Sequence, residues 1–280
     1  FGDFMHSYDA DRHAWRYDVG GYGWANSELS PDLWLWYAFL RTGRSDVYRL
    51  AEAMTRHTGE VDVYHAGRFR FLGTRHNVQH WGCSSKQIRI STAVYRRHFF
   101  FLTADERAGE QLRNQLQADE TQKKIIIGRK LAPDSPVLPL PPIENPHPPG
   151  GDVAVGPMGF GHTLVAWLTE AERTNDPAWH ARILNAMQGL ERLPFGFFSS
   201  GWTLNLDSGE IKHNGSRGVG VSHLSACFGL PETCAELHLT YGADAPQLAR
   251  AWAHYGRLYN ASREEQEREH ATPSKAGRSG

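Results

Sequence analysis

The side chains best equipped for chemistry crowd into a single stretch. Gly73-Thr74-Arg75-His76-Asn77-Val78-Gln79-His80-Trp81-Gly82 sets a guanidinium, two imidazoles, two amides and an indole side by side. Imidazoles move protons near neutral pH, and an indole face stacks on a sugar ring. Burying such a set would require a partner for every donor and acceptor, which packing alone seldom arranges. A ligand site explains the density better than a core does, and a structural polar network is the alternative. His76 and His80 would share a face if helical, with Asp62 or His65 as further metal ligands. Asn77 stands where a metalloprotease helix carries glutamate, however, and no cysteine supports the group, so no metal is expected.

A second cluster runs from Trp15 to Glu28. Its glycines allow close backbone approach, and Tyr22, Trp24 and Asn26 fall on one side of an extended chain. Tyr22, Trp24, Asn26 and Glu28 read as a sugar-stacking platform with hydrogen-bonding partners. Packing beneath a helical ring is an equally good explanation.

Helices must position both clusters. Leu33, Trp36, Tyr37 and Leu40 share one helical stripe, and Val47, Leu50, Ala51 and Met54 share another. Between them lies a turn with an Asp, and that pattern recurs at Asp46, Asp105, Asp176 and Asp244, with Pro177 and Pro246 at starts where a helix tolerates proline. Each recurrence predicts a tight helix–turn–helix. Such hairpins stack into a solenoid or close into an α/α toroid, so the expected fold is all-α dominated: an incomplete α/α toroid of about four antiparallel hairpins with long loops. Four hairpins fall short of a closed six-hairpin ring, which predicts missing N-terminal parts. The expected boundaries are a toroid over residues 1–260 and a disordered tail over 261–280, where charged and small residues dominate.

The loop Thr58–Cys83 far exceeds the usual length of about 4–6 residues, and loops of that size are commonly functional. Tyr64, Phe69, Phe71 and Trp81 argue against disorder within it, and Glu60 to His65 alternates like a short strand. Pro133–Gly159 reads as an extended proline-rich surface segment. Trp202–Leu206 followed by Asp207-Ser208-Gly209 predicts a small β-hairpin.

Composition narrows the partners. Thirty Lys and Arg offset thirty-one Asp and Glu, so no basic field exists to attract nucleic acid. Nine Trp, ten Tyr, thirteen Phe and fifteen His instead suit an oligo- or polysaccharide. No apolar run approaches the roughly 20 residues of a membrane span. The chain shows no signal region, and three cysteines leave the redox compartment undecided.

Three strings, Arg12-His13-Ala14-Trp15-Arg16-Tyr17-Asp18-Val19-Gly20-Gly21-Tyr22-Gly23-Trp24, Ala53-Met54-Thr55-Arg56-His57-Thr58-Gly59-Glu60-Val61-Asp62-Val63-Tyr64-His65 and Arg75-His76-Asn77-Val78-Gln79-His80-Trp81-Gly82, resemble the exo-rhamnogalacturonan lyase-like family of polysaccharide lyases. The likeness is strongest over residues 1–110. It implies an extracellular enzyme whose β-rich regions precede this helical part, acting on a rhamnogalacturonan-like pectin polysaccharide by β-elimination, with no cofactor. That reaction neutralises the uronate carboxylate, removes the C5 proton and protonates the departing O4. Arg75, with Asn77 or Gln79, suits the first task, because a guanidinium fork and amides bind a carboxylate as it becomes an enediolate. His76 or His80, with Tyr64, suits the other two. The expected catalytic set is therefore His80, Arg75, Tyr64, His76 and Asn77. His65, Trp81, Lys86 and Arg89 join Tyr22, Trp24, Asn26 and Glu28 in holding substrate, although Lys86 and Arg89 also read as solvated cations. Two alternatives stand: a glycoside hydrolase drawing two carboxylates from Asp18, Glu28, Glu60 and Asp62, or a truncated carbohydrate-binding remnant.

Overall fold

The structure is a computed structural model that describes residues 7–9, 14–16, 31–60, 63–67, 70–74, 86–87, 93–124, 151–220 and 229–271. The sequence reads as one domain over 1–260, whereas the chain groups into two compact units: Phe1–Pro146 with Val165–Glu170, and His147–Leu164 with Ala171–Gly280.

Unit 1 is built on two helical hairpins, α1 (Pro31–Thr42) with α2 (Ser45–Glu60) and α3 (Ala93–Thr103) with α4 (Glu106–Gln122). Pro31 sits where a helix has no use for an N–H, and in α2 the buried Ala51, Met54, Thr55 and Thr58 recur at helical spacing. Trp36 anchors the packing. Its fully buried ring stacks on Phe99 at 5.5 Å and meets Phe39 and Tyr48 edge-on, while its indole N–H donates to Thr55 Oγ1 at 2.9 Å. Leu35, Ala51, Met54 and Ala108 complete that cluster, and a second gathers Leu33, Leu112, Val165 and Ala166. Leu40 and Leu50, expected on the buried stripes, are exposed because both lie close to the α1–α2 turn. The unit also holds two short antiparallel pairs, β1 (Ser7–Asp9) with β2 (Ala14–Arg16) and β3 (Gly73–Thr74) with β4 (Lys86–Gln87).

Unit 2 begins with β5 (Asp152–Val153) and α5 (Gly156–Thr174), whose Val165–Glu170 segment belongs to unit 1. There follow α6 (Pro177–Gly189), two 3-10 turns at Leu190–Arg192 and Gly196–Phe198, and the antiparallel sheet of β5, β6 (Trp202–Asn205) and β7 (Ile211–His213). The β6–β7 hairpin is the one read from sequence, and the Asn205 side-chain oxygen closes its turn by accepting from the Asp207 and Ser208 N–H groups. Helices α7 (Leu230–Tyr241), α8 (Pro246–Tyr259) and α9 (Arg263–Ala271) complete the unit. Within the expected disordered tail, Arg263–Ala271 is thus helical, supported by an Arg263–Glu267 pair one turn apart. Phe160, Phe197, Phe198, Trp202 and Tyr255 form an aromatic core.

All four Asp-marked turns join helices, but only Asp105 and Asp176 cap as expected, accepting from the N–H of Ala108 at 2.8 Å and of Ala178 at 2.9 Å. Asp46 lies inside the first turn of α2 and pairs with Arg44, and α8 is preceded by Ala245 with no side-chain cap. Three of the turns repeat at finer grain. Thr42-Gly43-Arg44, Thr103-Ala104-Asp105 and Thr174-Asn175-Asp176 each place a left-handed residue after a Thr, and in each that residue's N–H returns to a carbonyl four residues back at 2.7 Å. The Thr hydroxyl also accepts from the N–H two residues on.

Candidate functional site

Tyr64 and His65 are the two members of the expected site whose side chains the structure describes. They leave α2 through a single bridge, Val63 to Gly73, and Tyr64 exchanges backbone hydrogen bonds with Leu72 and Phe71. Tyr64 is half-buried and His65 exposed. His65 Nε2 lies 2.8 Å from the Glu60 carbonyl oxygen, so Nε2 carries the proton and donates there, which leaves Nδ1 as the ring's acceptor.

Glu60 ties this turn to α4. Arg107 donates to both of its carboxylate oxygens at 2.7 Å, and Gln111 Nε2 donates to one of them at 2.7 Å. The Arg107 hydrogen bonds hold the Glu60 carboxyl below its ordinary range, against a smaller upward push from burial. A carboxylate kept ionised in this way makes a poor proton donor.

Beside His65 opens a small cleft lined by Gly59, Val63, Phe71, Arg96, Gln111, Asn114 and Gln115, with about 10 Å³ of free volume. That is room for one water-sized group, so the cleft can take the tip of a ligand, a carboxylate or hydroxyl, and not a whole ring. Its floor is polar where a core would be apolar. Arg96 is 1% exposed and Gln115 2%, and along α4 the buried polar residues Gln111, Gln115, Asp119 and Gln122 follow one helical stripe. Asp119 accepts from the Trp167 indole at 3.1 Å and from Gln122 at 3.2 Å. Burying so much polarity costs several kcal/mol per uncompensated group, so such seams persist mainly where specificity or chemistry uses them.

Asp32, within reach of the charge of Arg96, is fully buried and accepts from Thr58 Oγ1 at 2.6 Å. Burial raises its carboxyl to about 6, partly opposed by the Thr58 bond and the charge of Arg96. The field of Arg96 also reaches Glu60.

The other expected residues are not brought into this geometry. Tyr22, Trp24, Asn26, Glu28, Arg75, His76, Asn77, His80, Trp81 and Arg89 lie outside the described residues, as do Asp18 and Asp62. Lys86 is placed in β4, its backbone opposite Thr74. Among the described residues no group of three or more His, Cys, Asp and Glu could hold a metal ion, and no helix is long and apolar enough to cross a membrane. Cys234 is buried with a free thiol, which burial pushes well above its usual pKa.

Residues 1–279 match the family described as "PcRGLX-like protein C-terminal alpha/alpha toroid domain". The chain belongs to this family. Its helical architecture is accordingly that of an alpha/alpha toroid domain, and the family resemblance read from the three sequence strings holds. The chain is also 40% identical over 239 residues to "Uncharacterized protein YetA" of Bacillus subtilis (strain 168), an alignment covering 85% of this chain and 26% of that protein. The toroid domain thus spans about a quarter of the length of the curated relative it matches.

Sequence reasoning missed Arg96, Gln111, Asn114 and Gln115 and the buried acid Asp32. A signal for them exists. On α4 the Gln111–Gln115–Asp119 stripe is set four residues apart and lies beside Ala108 and Leu112, so amides occupy positions on the face that turns inward.

Proposed function

We propose that this toroid domain carries the catalytic site of an extracellular polysaccharide lyase that cleaves a uronic-acid-containing, rhamnogalacturonan-like chain by β-elimination. The observation that carries the reading is the cleft beside His65, in which a buried guanidinium and three side-chain amides surround a space the size of a single small polar group. A sugar carboxylate entering there would meet the Arg96 fork and the amides of Gln111, Asn114 and Gln115, the donor set that stabilises an enediolate more strongly than the carboxylate it grows from. His65, which lines the cleft, and its neighbour Tyr64 are the groups proposed to move the proton. In this proposal Arg75 and Asn77 assist carboxylate neutralisation, His76 and His80 share proton transfer with Tyr64, and Tyr22, Trp24, Asn26, Glu28, Trp81, Lys86 and Arg89 hold neighbouring sugars.

The hydrolase alternative could use Glu60 only as its ionised carboxylate. Glycoside hydrolysis needs one carboxyl kept protonated by a raised pKa, and Arg107 drives Glu60 the other way. Elimination leaves a double bond conjugated with the carboxylate, which absorbs in the ultraviolet, whereas hydrolysis creates reducing ends without it. Incubation with rhamnogalacturonan should raise the ultraviolet absorbance in step with reducing ends. Reducing ends without absorbance would mean hydrolysis, and neither signal would reduce the domain to a binding role.

A further inference from the structure

We infer that unit 2 carries a second ligand site of its own, a cleft for a neutral mono- or disaccharide between α8 and the 3-10 turns that follow α6. Its free volume is about 330 Å³, within the range of small-molecule pockets and far larger than the cleft in unit 1. Gln247, Arg250, Ala251 and His254 form one wall, at positions i, i+3, i+4 and i+7 and so on a single face of α8. Leu190, Glu191, Leu193, Pro194 and Gly196 form the other.

The chemistry of the walls selects the ligand. Pro194, the partly exposed apolar residue of the lining, offers a contact for the C–H face of a pyranose, with Leu190, Leu193 and Ala251 buried behind it. Around them stand a guanidinium, a carboxylate, an imidazole and a carboxamide, a mixture of donors and acceptors that matches an array of hydroxyls. Arg250 and Glu191 offset each other's charge, so neither an anion nor a cation is favoured. Gln247 Oε1 is buried and accepts no hydrogen bond from the described residues, so turning the carboxamide toward the cleft to meet a ligand hydroxyl breaks no existing bond at that atom.

The walls are also held rigid. His254 meets the Phe198 ring edge-on at 5.9 Å, and Phe198 stacks on Tyr255 at 5.0 Å. Gly196 adopts φ 52°, and a Cβ there would lie 3.3 Å from His254 Nδ1, so a glycine lets the turn close against the imidazole. Preorganised polar groups bind with less ordering cost.

The test is calorimetric titration of the whole chain with L-rhamnose and D-galactose, and the same titration of Gln247→Ala, Arg250→Ala and Gly59→Ala. Arg250 is exposed, so its variant keeps the fold, and circular dichroism checks the others. The expected result is weak saturable binding that falls at least tenfold in both unit 2 variants and is unchanged in Gly59→Ala, which alters only unit 1. No binding of either sugar, or binding untouched by Gln247→Ala and Arg250→Ala, would overturn the site. A loss in Gly59→Ala alone would assign the binding to unit 1 and equally overturn it.

Discussion

Gly59→Ala is the smallest change that should close the cleft without unfolding the protein. Gly59 lies in the last turn of α2 with helical backbone, so alanine is conformationally acceptable and its intrinsic gain is at most about 1 kcal/mol. An added Cβ would overlap Gln111 Oε1 and stand 2.8 Å from Gln111 Cδ and Nε2, so the amide must swing away. That movement breaks the 2.7 Å bond from Gln111 to Glu60. A hydrogen bond to a charged group is worth about 1.5–3 kcal/mol when buried, but Glu60 is 40% exposed and keeps both Arg107 bonds, so a loss of about 1 kcal/mol is more realistic. Gain and loss nearly cancel, and the melting temperature should move by no more than about 4 °C. The cleft fares differently, since Gln111 is one of its lining amides and the new methyl group displaces it, so that a space of roughly 10 Å³ loses its shape. Elimination followed by ultraviolet absorbance should therefore fall at least tenfold, roughly 1.4 kcal/mol of lost transition-state binding, while the melt barely changes. A variant that melts normally and retains wild-type elimination would refute the assignment of substrate carboxylate to this cleft.

Other outcomes follow from particular contacts. Ala104 is held at φ 55°, where a Cβ is unfavourable by about 1 kcal/mol, so Ala104→Gly should stabilise the protein by roughly that amount in urea titration. Asp176→Ala removes a cap and should cost about 1 kcal/mol, whereas Asp244→Ala should cost little because no side-chain cap precedes α8. Asp32 and His98 should oppose each other between pH 4 and 6. The raised Asp32 carboxyl, about 6 when folded, gives stability at low pH that is lost as pH rises through 6, and the depressed His98, about 4, gives stability at high pH that is lost as pH falls below its unfolded value. His98→Phe should leave the Asp32 limb less opposed, so that unfolding free energy falls more steeply with rising pH than in wild type across that window, by up to about 1.4 kcal/mol per pH unit. An equal slope in both proteins would show that these two groups do not control the profile.

The helices and their turns were legible in the sequence because local chemistry dictates them: amphipathic spacing in α1 and α2, Pro177 and Pro246 at helix starts, and the Asp caps of α4 and α6. The register of the repeat was less visible. The shared element is the left-handed residue after Thr42, Thr103 and Thr174, so Arg44 corresponds to Asp105 and Asp176, and aligning Asp46 with them is off by two residues. Tyr64 and His65 stand out as types able to do chemistry on an unusually long loop. Arg96, Gln115 and Asp32 do not, because nothing local distinguishes a buried arginine or glutamine from a solvated one on a helix. Their burial comes from packing between helices distant in sequence, such as the meeting of Asp32 with Thr58. The division into two compact units has the same origin, since α5 contributes to both.

Binding of D-galacturonate compared with D-galactose, two sugars that differ only by the carboxylate, tests the central claim most directly, measured on wild type and on Arg96→Lys. Galacturonate should gain at least tenfold over galactose in wild type, and the gain should disappear when lysine keeps the charge but removes the guanidinium fork. Equal binding of the two sugars by folded wild-type protein, or a galacturonate preference that survives in folded Arg96→Lys, would contradict it.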